Sequence, residues 1–171
     1  RDEFMKAPLT RTYLAVPAHR ERLVQNAARS DADAVFLDLE DAVPPAEKDL
    51  ALQSAVSALT TIDWGRKWVS VRLNGFDGSS IKAEVKRLGG VRRLDAFIIP
   101  KAEKVIDIVT IADWIAAASA GRDGPAAIEL LIETAMGLVN VDVLAAAHPL
   151  VAALHLGVGD FAASIGARST E

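Results

Sequence analysis

Three side chains suited to binding an oxyanion and a cation stand at the ends of apolar runs in this chain. Arg72 closes WVSVR, Glu133 follows AIELLI, and Asp160 follows Gly157-Val158-Gly159. A guanidinium offers a planar fork to a carboxylate or an enolate oxygen pair. A glutamate and an aspartate that leave positions for water and substrate oxygens suit Mg²⁺, a hard cation that keeps part of its hydration shell. The glycines before Asp160 let backbone approach a ligand closely, and the amide of Gly159 can face a substrate carboxylate. Two further groups support them. Asp38-Leu39-Glu40-Asp41 places three carboxylates in four residues. On an extended strand Asp38 and Glu40 face the same way, where they either assist a cation or serve as structural partners of Arg72. Lys101 follows Ala96–Ile99 and Pro100; a desolvated lysine can attack a carbonyl, but an ion pair with those acids is the simpler expectation.

Something must bring these positions together. The apolar runs end near Val16, Leu39, Arg72, Ile99, Ile132 and Gly157, so consecutive ends are 23, 33, 27, 33 and 25 residues apart. A strand, a helix and two turns take about 30 residues in a βαβ step. Strands are expected at 12–16, 34–39, 68–72, 96–99, 127–132 and 151–156. Between them, helices are expected over 20–30, from Pro44-Pro45 onward through Leu52, Val56 and Leu59, over 81–88, 105–118 and 136–147. A loop follows the last strand, with no terminal helix. The near-continuous apolar character of several strands is that of strands covered on both faces. A parallel sheet of this kind gathers all strand C-termini on one face, where (β/α) barrels hold their chemistry. Six units at this spacing are too few for an eight-stranded barrel, which needs about 225 residues or more. The chain is therefore expected to be either an open doubly wound sheet or, preferably, a (β/α)8 TIM barrel lacking roughly its last two units. Residues 1–10 are read as an N-terminal extension or cloning remnant and 11–171 as the barrel domain.

Bulk properties narrow the partners. The chain has 171 residues, 51% apolar and 25% charged, enough for one globular core. A net charge of −4 and the lack of a basic stripe argue against nucleic acid or an anionic membrane as partner. With no cysteine there is no disulfide or thiolate chemistry, and a cytoplasmic location is expected. The apolar stretch 141–158 is interrupted by His148, Pro149 and His155 and reads as helix, turn and strand rather than a membrane span. Those two histidines and His19 are scattered, which gives no support to a zinc site or a Ser-His-Asp triad. No Walker loop and no G-x-G-x-x-G fingerprint is present.

The segment RTYLAVPAHRERLVQNAARSDADAVFLDLEDAVPPAEK, with VRLNG at Arg72, IIPK at Lys101, LLIETAMGLVN at Glu133 and LGVGDFAASIGAR at Asp160, resembles the citrate lyase β subunit group of the HpcH/HpaI aldolase superfamily. The resemblance runs from Arg11 onward. It implies a Mg²⁺-dependent carbon–carbon lyase on a (β/α)8 barrel, acting on citryl, malyl or citramalyl thioesters of coenzyme A or an acyl carrier protein. It makes Arg72 the keto-acid ligand, Glu133 and Asp160 the metal ligands, and Arg20 a candidate for the carboxylate or carrier end. Catalytic work falls to Arg72 and Glu133, with Asp38, Glu40, Asp41 and Lys101 in support. A homo-oligomer, trimer or hexamer, is expected. Two departures stand out. The family's glutamate before the metal aspartate is Gly159 here, and the family continues for about a hundred residues beyond this length. Other readings of the same site are a malate synthase-like or thioesterase activity, or a non-catalytic binding or assembly subunit.

Overall fold

The computed structural model describes residues 8–76 and 80–168; residues 1–7 of the expected extension and 169–171 at the chain end lie outside them. In order, the elements are β1 (Tyr13–Pro17), α1 (Glu21–Arg29), β2 (Ala34–Asp38), a 3-10 turn (Pro45–Glu47), α2 (Lys48–Thr61), β3 (Trp68–Arg72), α3 (Ser80–Leu88), β4 (Ala96–Ile99) and α4 (Val105–Ala118). Then follow β5 (Ala127–Ile132), α5 (Ala135–Val139), α6 (Val141–Ala145), β6 (Val151–Leu156) and α7 (Val158–Ser164). The strands form one sheet in chain order, and every neighbouring pair is parallel. This is the expected succession of six βα units. Strands β2 to β5 are buried almost throughout, whereas β1 and β6, at the two sheet edges, are more exposed.

The sheet is strongly rolled. Five spacings of about 4.8 Å would put β1 and β6 roughly 24 Å apart in a flat sheet. Instead Tyr13 on β1 stacks on His155 on β6, with ring centroids 5.2 Å apart and planes 7° from parallel. The curvature is that of a barrel wall, which the open doubly wound alternative does not fit.

Helices cover the outside of the roll. Ala51, Ala55, Ala58 and Leu59 of α2 are buried, as are Ile108, Ile111, Ala112 and Ile115 of α4. Of the expected stripe on α2, Leu59 is fully buried and Leu52 and Val56 pack partly buried against the core, with the alanines beside them completing the inward face. Leu23 of α1 and Val105 of α4 are exposed. Two corrections concern the site end. The helix expected over 136–147 breaks at Asn140, whose side chain donates to the Glu103 carbonyl at 2.9 Å and ties the break to the β4–α4 connection. The loop expected after β6 is instead helical: α7 begins at Val158 and carries Asp160 in its first turn.

Beneath the site, the interior holds a carboxylate. Glu129 of β5 is buried and accepts hydrogen bonds from the Tyr13 hydroxyl at 2.7 Å and from Trp68 Nε1 at 2.6 Å. His155 Nε2 lies 2.9 Å from Glu129 Oε2, within hydrogen-bond distance. The Tyr13 hydroxyl also pairs with Ser70 on β3. Side chains from β1, β3 and β5 thus meet in one layer, as barrel interiors require. A register shift between β5 and β6 falls at Ile128/Glu129 and locally bends the sheet there. Glu129→Ala would leave Trp68 Nε1 without its acceptor and take a partner from Tyr13 and His155, and about 3 kcal/mol of stability should be lost. Glu129→Gln, which retains one carbonyl oxygen, should lose less. Urea unfolding of both variants measures the difference.

Candidate active site

The sheet's hydrogen-bond ladder runs past the strand ends and fixes the site backbone. The amides of Ala18, Leu39, Leu73, Ala102 and Gly157 donate to the carbonyls of Asp38, Arg72, Ile98, Leu131 and Ile132. The first residues beyond the strands are therefore held as rigidly as the strands themselves.

Arg72, at the end of β3, is the hub. Its Nε and Nη2 donate to the two oxygens of Asp38 at 2.8 and 2.6 Å, a bidentate fork. Nη1 lies 3.2 Å from Glu40 Oε2 and 3.7 Å from Asp41 Oδ2. The guanidinium also sits 5.7 Å from the centroid of the Phe36 ring on β2. Asp38 is saturated: besides Arg72 it accepts from the amides of Glu40 and Ala42. Burial alone would raise its pKa, but the Arg72 fork and those amides hold it below the usual carboxylate range. Burial likewise works against the Arg72 charge, and Asp38 outweighs it, so Arg72 stays protonated. The structural ion pair expected of Arg72 is thus present. The fork uses two of the five N–H groups of a guanidinium, and Nη1 faces Glu40 and Asp41 without a hydrogen bond to either.

Glu40 lies past the end of β2 rather than on it, and still reaches the site because Lys48 Nζ binds the carbonyls of Leu39 and Glu40 at 2.7 and 2.6 Å. It is buried, its pKa is raised by that burial, and its Oε2 has no hydrogen-bond donor. Its Oε1 faces Lys101 Nζ at 2.5 Å. Among the described residues Lys101 is the one non-glycine with positive φ, at 49°, a conformation costing about 1–2 kcal/mol. From that position its amide donates to Glu133 Oε1 at 2.9 Å. Its ammonium lies 3.5 Å from Asp41 and 3.7 Å from Asp160. Burial disfavours the ammonium, but the hydrogen bond and charge of Glu40 raise its pKa above the ordinary value. That protonated state is the ion pair expected for Lys101, and it disfavours the carbonyl-attack role.

Glu133, just after β5, is buried, and burial raises its pKa despite the Lys101 amide. A Cβ on Gly157 would lie 2.6 Å from both Cβ and Oε2 of Glu133, so the glycine leaves the room this carboxylate occupies. Gly159 is different: a Cβ there meets nothing within 4 Å, so sterics do not exclude a side chain where the related family has glutamate. Among the described residues no three His, Cys, Asp or Glu side chains converge to hold a metal ion. Glu133 and Asp160, the pair expected to hold a cation, are two hard-oxygen side chains that would suit one completing its shell with water and substrate.

Arg20 is the candidate the structure leaves apart. It is exposed, and it lines an open pocket of about 640 Å³ with Pro17, His19, Arg22 and Leu23, beside the cluster around Arg72. Two participants escaped the sequence reading. Glu84 binds the amide and side chain of Asn74 at 3.0 and 2.5 Å and so shapes the turn after Arg72. Its signal was an acid on the buried stripe Ile81, Glu84, Val85, Leu88 of α3. Glu129 likewise stood out as an acid inside the run AIELLI.

No helix among the described residues is long and apolar enough to cross a membrane. The family model for HpcH/HpaI aldolase/citrate lyase matches residues 11–171. An L-malyl-CoA/beta-methylmalyl-CoA lyase of Rhodobacter capsulatus is 38% identical over 168 residues, covering 96% of this chain and 53% of that protein. A (3S)-malyl-CoA thioesterase of Cereibacter sphaeroides is 32% identical, covering 92% and 52%. The structure of the protein CitE from Mycobacterium tuberculosis in complex with magnesium, acetoacetate and coenzyme A superposes with a TM-score of 0.73 at 30% identity. That match covers 93% of this chain and 52% of that one. The chain thus spans about half the length of the curated relatives it matches.

Gly157→Ala should push Glu133 out of place while leaving the strand ladder intact. Divalent-cation affinity, read by titration calorimetry, should fall about 10–100-fold with little change in thermal midpoint.

Proposed function

Because the chain belongs to the HpcH/HpaI aldolase/citrate lyase family, we propose that it forms the catalytic barrel of a Mg²⁺-dependent lyase. The lyase cleaves a hydroxyacyl-CoA, of malyl-CoA or β-methylmalyl-CoA type, into a 2-oxo acid and a shorter acyl-CoA. The observation that carries this reading is the juxtaposition on one sheet face of Arg72, forked to Asp38 yet with N–H groups to spare, and the carboxylates Glu133 and Asp160. The match to a malyl-CoA lyase and to a structure holding magnesium, a 3-oxo acid and coenzyme A supports it. The full domain on this reading carries two more βα units and assembles as a homo-oligomer.

In the cleavage the hydroxyl proton leaves, its oxygen becomes the carbonyl of the 2-oxo acid, and the carbon–carbon bond breaks. The bond's electron pair becomes the enolate of the thioester, which is then protonated. Held by Glu133 and Asp160, Mg²⁺ supplies Lewis acidity toward the hydroxy-acid oxygens. Arg72 presents its remaining N–H groups to oxygen that gains negative charge. Asp38 keeps the guanidinium in one orientation, so that stabilisation needs no reorganisation during reaction. Glu40 and Asp41 add negative charge around Arg72 and keep it protonated.

A second reading, hydrolysis of the same thioester, is favoured by the similarity to the malyl-CoA thioesterase. Product analysis separates them: cleavage yields a 2-oxo acid with acyl-CoA, and hydrolysis yields the free hydroxy diacid with coenzyme A. With L-malyl-CoA, the full-length protein should give the first pair. Glu133→Gln and Asp160→Asn should each lower kcat about 10³-fold or more at unchanged thermal midpoint, and Arg72→Lys about 10²–10³-fold. Full activity in either acid variant would remove the metal assignment.

A further inference from the structure

We propose that Lys101 is a positioning residue that serves as the built-in cation of the metal-free site. Its charge keeps together the acids that follow β2 and β5 and the one on α7, and sets how tightly a divalent cation binds. This rests on the assignment of Glu133 and Asp160 as metal ligands and goes beyond it.

Geometry makes the case. Lys101 stands at the end of β4, between the strands that bear the acids. Its ammonium faces Glu40 at 2.5 Å and Asp41 at 3.5 Å on the β2 side, and Asp160 of α7 at 3.7 Å on the β6 side. Its own amide holds Glu133 of the β5 end at 2.9 Å. One residue therefore clamps one metal-ligating carboxylate through its backbone and neutralises the other through its side chain. The left-handed backbone at φ 49° is what allows both contacts from a single position. Arg72 does not duplicate this role, because its fork is committed to Asp38 and the structure records no contact from it to Glu133 or Asp160.

Two consequences follow from the charge alone. Without the ammonium, among the described residues Arg72 alone faces Glu40 and Asp41 and no side-chain cation faces Asp160, so repulsion within the cluster grows and the metal-free protein loses stability. A divalent cation entering the same cluster then meets more negative charge and no competing cation, so it binds more tightly. A lysine that merely packed there would have the opposite signature, since its loss would loosen the site and weaken binding.

The test compares full-length Lys101→Met and Lys101→Arg with the unmodified protein, using Mg²⁺ and Mn²⁺ alone as probes in titration calorimetry, alongside thermal unfolding in chelator. Lys101→Met, which keeps the amide and the chain length, should bind either metal at least tenfold more tightly and melt lower without metal. Its thermal gain on adding metal should exceed that of the unmodified protein. Lys101→Arg should restore both values to within about threefold in affinity. Unchanged or weaker metal binding in Lys101→Met, with binding abolished in Glu133→Gln, would overturn the role of Lys101 while leaving the metal site standing. Undiminished binding in both Glu133→Gln and Asp160→Asn would remove the metal site itself, and this role with it.

Discussion

A buried guanidinium among acids cannot exist without partners, and Arg72 with Asp38 meets that constraint at the centre of this protein's mouth. The two-point fork satisfies Asp38, and Asp38 in turn binds the amides that shape the turn after β2. That turn places Glu40 and Asp41 against the same guanidinium and against Lys101. Lys101 holds Glu133. From one ion pair between adjacent strands, the charge network thus extends over β2, β3, β4, β5 and α7. Removing one partner of such a pair costs more than the pair contributes, because the other charge is left buried and unpaired.

The site is rigid for a second reason. Arg72 and Asp38 end their strands and Glu133 stands one residue past its own, where the sheet ladder still continues. Below it, Phe36 lies between the Arg72 guanidinium and the Tyr13 ring, and Tyr13 belongs to the Glu129 layer. A column of contacts therefore links the barrel floor to the mouth. Chemistry that depends on preorganised charge benefits from such support, since the orientation of Arg72 is set before any ligand arrives.

Glycine and strain appear where the network is tightest. Gly157 leaves the space that Glu133 fills, and Lys101 accepts a left-handed backbone to reach two sides of the cluster. Gly159 shows the reverse, an open position where no side chain is required by packing. The two glycines flanking Val158 look alike in sequence and differ entirely in what surrounds them.

Much of this was legible in the residues themselves. The spacing of apolar runs points to six βα units because a parallel step needs a strand, a crossover and two turns, which together take about that length. It likewise places Arg72, Glu133 and Asp160 on one face, since all strands in such a sheet end on the same side. Tertiary structure decided the rest. Which residue of α2 packs inward depended on the curvature of the sheet, and the roll that brings Tyr13 onto His155 is a sum of small twists that no local pattern encodes. Glu84 and Glu129 carried a local sign, an acid in an apolar stripe, yet their partners lie 10 to 116 residues away. Lys101 is the clearest case. Its type suggested an ion pair, but its hold on Glu133 and its approach to Asp160 come from a backbone angle and the meeting of four elements, which only the folded chain brings together.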